Sequence, residues 1–300
     1  MQQVQENKGM SIRAFVSVPR RFEGWFEDVK NDKLRADFLK ECVLMGESEL
    51  CPCGSGLKHK ECCPDIAKQS VIAELYIKLK ALDEALKKAQ RSQNVKSLCK
   101  AGCNDCCSDY FYISMPEYFL LKHRLEKDGL FQKIREIGRK EYEKLASECP
   151  DEFKRLEGKE NQSFDEISND KKYLSRFCVC PLSDCDKSCA AYHERPVICR
   201  FYGTVLGSGN FCSKILSKAQ GFFTKEVSRR KLKKMCVSFQ YDREHLITNM
   251  DYFHIGNQAV FVRPYPLVYW LANDNSYTSL YHAALTQTPE NFIKLLLRIS

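Results

Sequence analysis

The sequence predicts a mainly helical protein of the α+β class. Apolar residues recur at helical spacing over long stretches, and capping signals mark where several of these stretches begin. The cysteines are the third observation: the 300 residues contain 17 of them, and most occur in closely spaced groups. We therefore expect a helical domain built around a cysteine-rich centre and preceded by a small cysteine-rich knuckle.

The helices are predicted between the cysteine groups. One apolar stripe runs through residues 66–89, and Asp65 is the expected N-cap of that helix. The sequence Ser-Met-Pro-Glu from Ser114 to Glu117 is a capping box, and Gly129 is the expected end of the helix it starts. The full set of predicted helices is 22–45, 66–89, 114–127, 130–146 and 288–297.

The remaining segments are predicted as strands or loops. Residues 259–269 are rich in Val, Phe and Tyr, but their prolines favour a strand at a sheet edge. Residues 157–172 are polar and are expected to form a loop. The glycines of 203–209 could cradle a nucleotide-like cofactor, but a flexible loop is favoured because no strand-to-helix context surrounds them.

The composition indicates a soluble, folded protein. Hydrophobic residues make up 44% of the chain and charged residues 29%, which is typical of a globular domain. The first residues lack the apolar run of a signal peptide, and Arg263 and two prolines interrupt the most apolar stretch, 259–272. We expect a cytoplasmic protein without a membrane segment. In that reducing compartment, clustered cysteines are more often metal ligands than disulfides.

The charge of the chain is weak support for a nucleic-acid partner. The formal net charge is +8, from 47 basic and 39 acidic residues. A four-thiolate site with a divalent metal carries about −2, so two such sites would offset half of the excess. The basic run 229–234 is interpreted as a solvated helix face, with contact to an acidic partner as the alternative.

The first cysteine group has the spacing of a small zinc site. Cys51-Pro-Cys53-Gly-Ser-Gly is followed by Cys62-Cys63, so four thiols lie within 13 residues. Zinc prefers four soft ligands in a tetrahedron, and a short loop brings two pairs together. Lys58 and Lys60 are expected to offset the negative charge. His59 is not expected to be a ligand, because four cysteines already complete the site.

These residues resemble the SEC-C motif, a small zinc-binding module found in many bacterial proteins. The string Cys-Pro-Cys-Gly-Ser-Gly followed by Cys-Cys carries the resemblance, with Cys63 in the place of the last ligand. The resemblance implies a zinc-stabilised module that often mediates protein contacts.

Two further groups of cysteines are separated by about seventy residues. Their spacing predicts metal ligands, either for an iron–sulfur cluster, for a cluster plus a single metal ion, or for two zinc ions. The expected ligands are Cys99, Cys103, Cys106, Cys107, Cys180, Cys189 and Cys199, with Cys178, Cys185, Cys212 and Cys236 as additional candidates. Cys42 and Cys149 stand alone and are expected to be buried thiols.

These groups resemble the YkgJ-like cysteine-cluster family of zinc- or iron-chelating proteins, which includes the flagellin lysine N-methylases. The resemblance spans roughly residues 95–240. It rests on Cys103, Cys106 and Cys107, then Cys180, Pro181 and Leu182, then Cys189, Tyr192, Arg195, Pro196, Cys199 and Arg200. It implies that both groups meet at one centre. For the methylase members it also implies an iron–sulfur cluster and S-adenosylmethionine. Arg195 and Arg200 are expected to stabilise thiolate charge, or alternatively to hold a carboxylate.

Five segments follow from these groups. We expect an N-terminal helical region at 1–48, the SEC-C-type zinc module at 49–65, a connecting helix at 66–94, the cysteine-cluster domain at 95–240 and a C-terminal region at 241–300 that packs on it. Metal binding is the function the residues predict. The alternatives are a protein-lysine N-methyltransferase acting on a protein substrate and a zinc-stabilised adaptor that docks on a protein partner.

Overall fold

The fold is described from a computed structural model. It describes residues 15–16, 40–41, 49–53, 55–96, 100–103, 107, 111–157, 180–183, 189–201, 205–206, 237–238, 252–255, 258–261 and 264–299. Helices dominate these residues, which confirms the predicted class. In chain order they are α1 (His59–Cys62), α2 (Val71–Ser92), α3 (Met115–Lys127), α4 (Phe131–Glu148), α5 (Pro150–Glu157), α6 (Val197–Phe201), α7 (Leu267–Ala272), α8 (Thr278–Thr286) and α9 (Pro289–Ile299).

The strands are short and form small sheets. They are β1 (Phe15–Val16), β2 (Tyr112–Ile113), β3 (Val205–Leu206), β4 (Val237–Ser238), β5 (Tyr252–Ile255), β6 (Gln258–Phe261) and β7 (Tyr265–Pro266). Among the described strands, β1, β6 and β5 form an antiparallel sheet in that order, β2 pairs antiparallel with β7, and β3 pairs parallel with β4.

Helices α3 and α2, which lie beside the cysteine groups, each have a serine N-cap. Ser114 accepts a hydrogen bond from the Glu117 N–H, and the Glu117 carboxylate accepts from the Ser114 N–H at 2.8 Å, so the predicted capping box is present. Helix α3 ends at Lys127, and Gly129 follows with a φ of +69°, as the sequence predicted. Helix α2 begins at Ser70, whose hydroxyl accepts from the Ala73 N–H at 3.2 Å.

The helices pack around one aromatic-rich core. Trp270 of α7 is buried, stacks on Tyr118 of α3 at 5.7 Å between ring centroids, and donates its indole N–H to the Ile113 carbonyl at 3.1 Å. Helix α4 crosses α7 at Gly138, where a Cβ would lie only 2.8 Å from the Leu271 Cβ. Cys51, Cys63 and Ile66 belong to the same hydrophobic cluster. The zinc-type module is therefore part of the core rather than an appendage.

Several sequence predictions are corrected by this fold. The helix predicted for 66–89 spans Val71–Ser92, and its N-cap is Ser70 instead of Asp65. Strand β6 lies in the middle of its sheet and not at an edge, because the prolines fall after it, and residues 267–269 are helical. Part of 203–209 forms strand β3. Of the helix predicted for 22–45 only 40–41 is described, and of the loop predicted for 157–172 only Glu157, the last residue of α5, is described.

Candidate metal centre

A tight hairpin presents the first two cysteines of the module. The Cys51 N–H donates to the Leu57 carbonyl at 2.7 Å, and Leu50 pairs antiparallel with Lys58 just outside. Gly56 has a φ of +78°, a conformation that residues with a Cβ rarely adopt. The chain therefore reverses within a few residues and directs Cys51 and Cys53 toward the segment that follows.

One helical turn presents the other two cysteines. Helix α1 begins at His59, and the N–H groups of Cys62 and Cys63 each donate at 3.0 Å to carbonyls at the start of that turn. This places the adjacent Cys62 and Cys63 against the hairpin. The four predicted ligands of the first group are therefore brought together, two from a loop and two from a helix end.

The spacing of the four sulfurs fits a single tetrahedral ion. All four Sγ atoms lie within 4.8 Å of one another; the Cys53–Cys62 pair is 3.4 Å apart and the Cys62–Cys63 pair 3.7 Å. A tetrahedron with zinc–sulfur bonds of about 2.3 Å has sulfur–sulfur edges of about 3.8 Å. In the part of the chain that the structure describes, no other set of three or more Cys, His, Asp or Glu donors is this close.

The thiols of the module influence one another's protonation strongly. A hydrogen bond from the Cys63 side chain lowers the pKa of Cys53, and the same bond together with burial raises the pKa of Cys63. Burial raises the pKa of Cys51 to about 12. The two raised pKa values mean that Cys51 and Cys63 hold their protons more firmly than Cys53 does. A bound divalent cation would replace those protons.

Two side chains, those of His59 and Lys127, lie beside the four sulfurs but are not among the proposed ligands. The His59 ring lies with Nδ1 3.6 Å from the Cys51 Sγ and Nε2 2.7 Å from the Ile66 carbonyl oxygen, which fixes its orientation. Lys127 of α3 donates to the Cys62 carbonyl at 2.7 Å, and its Nζ lies 3.4 Å and 3.5 Å from the Cys62 and Cys63 sulfurs.

Lys127 is a residue that sequence reasoning missed. Lys58 was expected to offset the charge of the site, but its Nζ lies 4.0 Å from the exposed carboxylate of Glu49. Lys127 is more than sixty residues away along the chain, so no local pattern could identify it.

Parts of the second and third cysteine groups also meet. The Cys180 N–H donates to the Cys107 carbonyl at 2.7 Å, which joins the two groups directly. Ser183 forms an antiparallel bridge with Cys189, so Cys189 lies near the same position. Cys199 lies on α6, whose first N–H, that of Val197, donates to the Glu117 carboxylate at 2.8 Å.

The pKa values of these thiols are affected by burial and by one another. A hydrogen bond with the Cys107 side chain and burial raise the pKa of Cys180. Burial, with the nearby Cys107, raises the pKa of Cys189. Burial and the charges of Cys189, Glu117 and Cys107 raise the pKa of Cys199. Four thiols therefore converge, although less closely than those of the first group.

Of the other predicted ligands of these two groups, the structure describes Cys103. Cys103 is half-buried, and its N–H donates to the Lys100 carbonyl at 3.1 Å in a turn. The remaining candidates lie outside the described residues: Cys99, Cys106, Cys178, Cys185, Cys212 and Cys236. Cys149 is a buried thiol at the end of α4, as expected for a cysteine outside the groups.

The two predicted arginines share one carboxylate, because the Arg195 guanidinium lies 3.9 Å from Asp83 and Arg200 pairs with it more closely. The Arg200 side chain is fully buried, pairs with the Asp83 carboxylate of α2, and donates to the carbonyls of Arg195 and His193 at 2.9 Å and 2.6 Å. Its charge is thus directed to a carboxylate of this chain, the alternative that the sequence had ranked second. Arg195 stacks at 4.1 Å over the Tyr192 ring, and its charge offsets a small part of the rise in the pKa of Cys199 that burial causes.

The fold and these contacts define a mainly helical protein with a tetracysteine cluster that could bind metal. Residues 48–63 match the SEC-C motif family, so the resemblance noted from the sequence is confirmed for this segment. No curated protein and no solved structure matches the chain. The YkgJ-like resemblance stays a prediction. None of the described helices is both long and apolar enough to cross a membrane.

Proposed function

We propose that the chain is a zinc-binding protein whose SEC-C module holds one structural ion through Cys51, Cys53, Cys62 and Cys63. The observation that carries this proposal is the convergence of four sulfurs within 4.8 Å of one another. Four cysteine ligands leave no open coordination position, which is typical of a structural site and not of a catalytic one. The ion would fix the hairpin to α1 in addition to the hydrogen bond from the His59 N–H to the Glu49 carbonyl.

Zinc content measured on purified variants tests this proposal. Cys53→Ser and Cys62→Ser each remove one ligand, and we expect each to lose about one equivalent of zinc per chain. Cys149→Ser is the matched control, because it replaces a buried thiol that lies outside the four convergent sulfurs. Full retention of zinc in both ligand variants would refute the assignment.

We further propose a second metal site formed by Cys107, Cys180, Cys189 and Cys199. The mutual influence of their thiols and the hydrogen bond between the Cys107 and Cys180 backbones support it. Their sulfurs are not as close as those around a single zinc ion, so either the site tightens on binding or it holds a larger iron–sulfur cluster. Thiolates serve both chemistries.

Metal and sulfide analysis of protein purified without oxygen distinguishes these outcomes. Iron with acid-labile sulfide and broad absorption near roughly 400 nm would identify a cluster. A second equivalent of zinc without colour would identify a mononuclear site. We expect Cys180→Ser and Cys199→Ser to remove whichever metal is found and to leave the SEC-C zinc in place. Protein with only one zinc and no iron would refute the second site.

Two finer functions rest on the resemblances. The lysine N-methyltransferase hypothesis predicts that the fully metallated protein binds S-adenosylmethionine, and a calorimetric titration without binding would exclude it. The adaptor hypothesis is favoured by Leu50 and Leu57, which are exposed on the hairpin of the module. Because the module is part of the core, Leu50→Ser with Leu57→Ser tests partner binding better than deletion of 49–65.

A further inference from the structure

Helix α3 contacts both cysteine sites, one at each end. At its last residue, Lys127 donates to the Cys62 carbonyl and lies beside the sulfurs of the SEC-C site. Near its first turn, the Glu117 carboxylate accepts from the Val197 N–H and so holds the start of α6, which carries Cys199. Lys127 lies ten positions after Glu117, a rise of about 15 Å along the helix.

A third position on α3 strengthens the connection. Arg124 lies one turn before Lys127, where burial opposes its charge but the carboxylates of Glu194 and Asp128 outweigh burial and raise its pKa. Glu194 is buried, and in the sequence it lies midway between Cys189 and Cys199. The end of α3 that contacts the SEC-C module therefore also faces the segment that presents the second set of cysteines.

Helix α2 runs between the same two sites. Tyr76 is buried, and burial raises the pKa of its hydroxyl, to which the nearby Glu194, Cys63 and Cys53 add. Seven residues further along, Asp83 pairs with Arg200, the neighbour of Cys199. Residues of the module and of the second site belong to one hydrophobic cluster with α2 and α3. Such a closely packed interior transmits a change at one end better than a flexible linker does.

We propose that α3 couples the two cysteine sites, so that zinc in the SEC-C module stabilises the segment presenting Cys189 and Cys199. This inference rests on the proposed zinc site. Zinc-bound thiolates keep a net negative charge next to Lys127, so the bound ion strengthens the contact between the module and the last turn of α3. Loss of zinc therefore frees the last turn of α3, and Glu117 at the other end holds α6 less firmly. By reciprocity, metal at the second site raises the zinc affinity of the module.

Amide hydrogen exchange of the full-length protein tests this coupling. The Val197 N–H is the direct reporter, because its acceptor is the Glu117 side chain. Lys127→Met removes the ammonium but keeps most of the apolar stem, and Lys133→Met is the matched control at an exposed position of the next helix. We expect exchange across 197–201 to become about fivefold faster in Lys127→Met, at the low end of known coupling strengths, and to stay unchanged in Lys133→Met.

A second variant and a metal assay separate the two proposals. Cys62→Ser abolishes the zinc site itself and should accelerate exchange across 197–201 more than Lys127→Met does. Zinc content is measured on the same samples, so wild-type protein without zinc would refute the proposed function. Unchanged exchange at Val197 in Lys127→Met refutes the coupling whether or not Cys62→Ser folds.

Discussion

The buried ion pair between Asp83 and Arg200 provides the sharpest test of how the second cysteine site is held. The Arg200 side chain is 0% exposed and that of Asp83 is 20% exposed, so water reaches only the carboxylate. Burial lowers the pKa of Arg200, and Asp83 is the main group that opposes this effect. Asp83→Asn keeps the size of the side chain and removes its charge.

We expect Asp83→Asn to lower the free energy of unfolding by about 3 kcal/mol, the lower end of the range for an unpaired buried charge, because Asp83 is partly exposed. At about 2–4 °C per kcal/mol for a chain of this size class, the melting temperature should fall by about 6–12 °C. Thermal and urea unfolding followed by circular dichroism measure both quantities.

The neighbouring residue is a matched control for this substitution. Glu84→Gln makes the same carboxylate-to-amide change on the same helix, where Glu84 pairs with Lys87 at the surface. We expect an effect below about 0.5 kcal/mol there. Arg200→Met together with Asp83→Asn should be less destabilised than Asp83→Asn alone, because the fully buried guanidinium that lost its partner is no longer present. Equal stability of Asp83→Asn and Glu84→Gln would refute the reasoning.

Three further predictions follow from other parts of the structure. Gly138→Ala should destabilise the fold by about 1–3 kcal/mol, because its Cβ would overlap Leu271 and this overpacking outweighs the better helix propensity of alanine. Ser114→Ala should lower the free energy of unfolding by about 1 kcal/mol through loss of the cap, as urea titration would show. Zinc affinity should fall as the pH is lowered, by about tenfold per pH unit for each thiol proton that zinc displaces. The reason is that Cys51 and Cys63 have raised pKa values and bind zinc only as thiolates.

Each of these predictions has an outcome that contradicts it. A Gly138→Ala protein as stable as the wild type would mean that α4 and α7 separate freely. Ser147→Ala is the control for the cap, since Ser147 is exposed near the end of α4, and equal losses would argue against a capping effect. A zinc dissociation constant that is the same at acidic and neutral pH would mean that no thiol proton is released on binding.

Local sequence information was sufficient where the structure itself is local. The capping box at Ser114 and the glycine after α3 need only neighbouring residues, and both predictions are confirmed. The SEC-C ligands lie within 13 residues, so their spacing predicted the cluster directly. The N-cap of α2 shows the limit, because Asp65 and Ser70 are both good capping residues. Asp65 is instead paired with His123, 58 residues away.

Contacts between distant segments account for what the sequence did not predict. Helices α6 and α7 have five and six residues and depend on partners such as Glu117 and the aromatic core. Isolated helices of that length are unstable in water, so their own residues give little indication of them. The lysine beside the SEC-C sulfurs and the carboxylate that pairs with Arg200 were missed for the same reason.

The attachment of the segment that follows the module to distant residues has a consequence for the order of folding. The Ala67 and Val71 N–H groups donate to the carbonyls of Leu285 and Gln287 at 2.8 Å and 3.2 Å. Strand β2 likewise pairs with β7, about 150 residues later. During synthesis, the cysteines of the module leave the ribosome long before these partners exist, and contacts of such high sequence separation form slowly. Zinc capture by the short local loop could therefore come first, giving the nascent chain one ordered element on which the rest of the core later assembles.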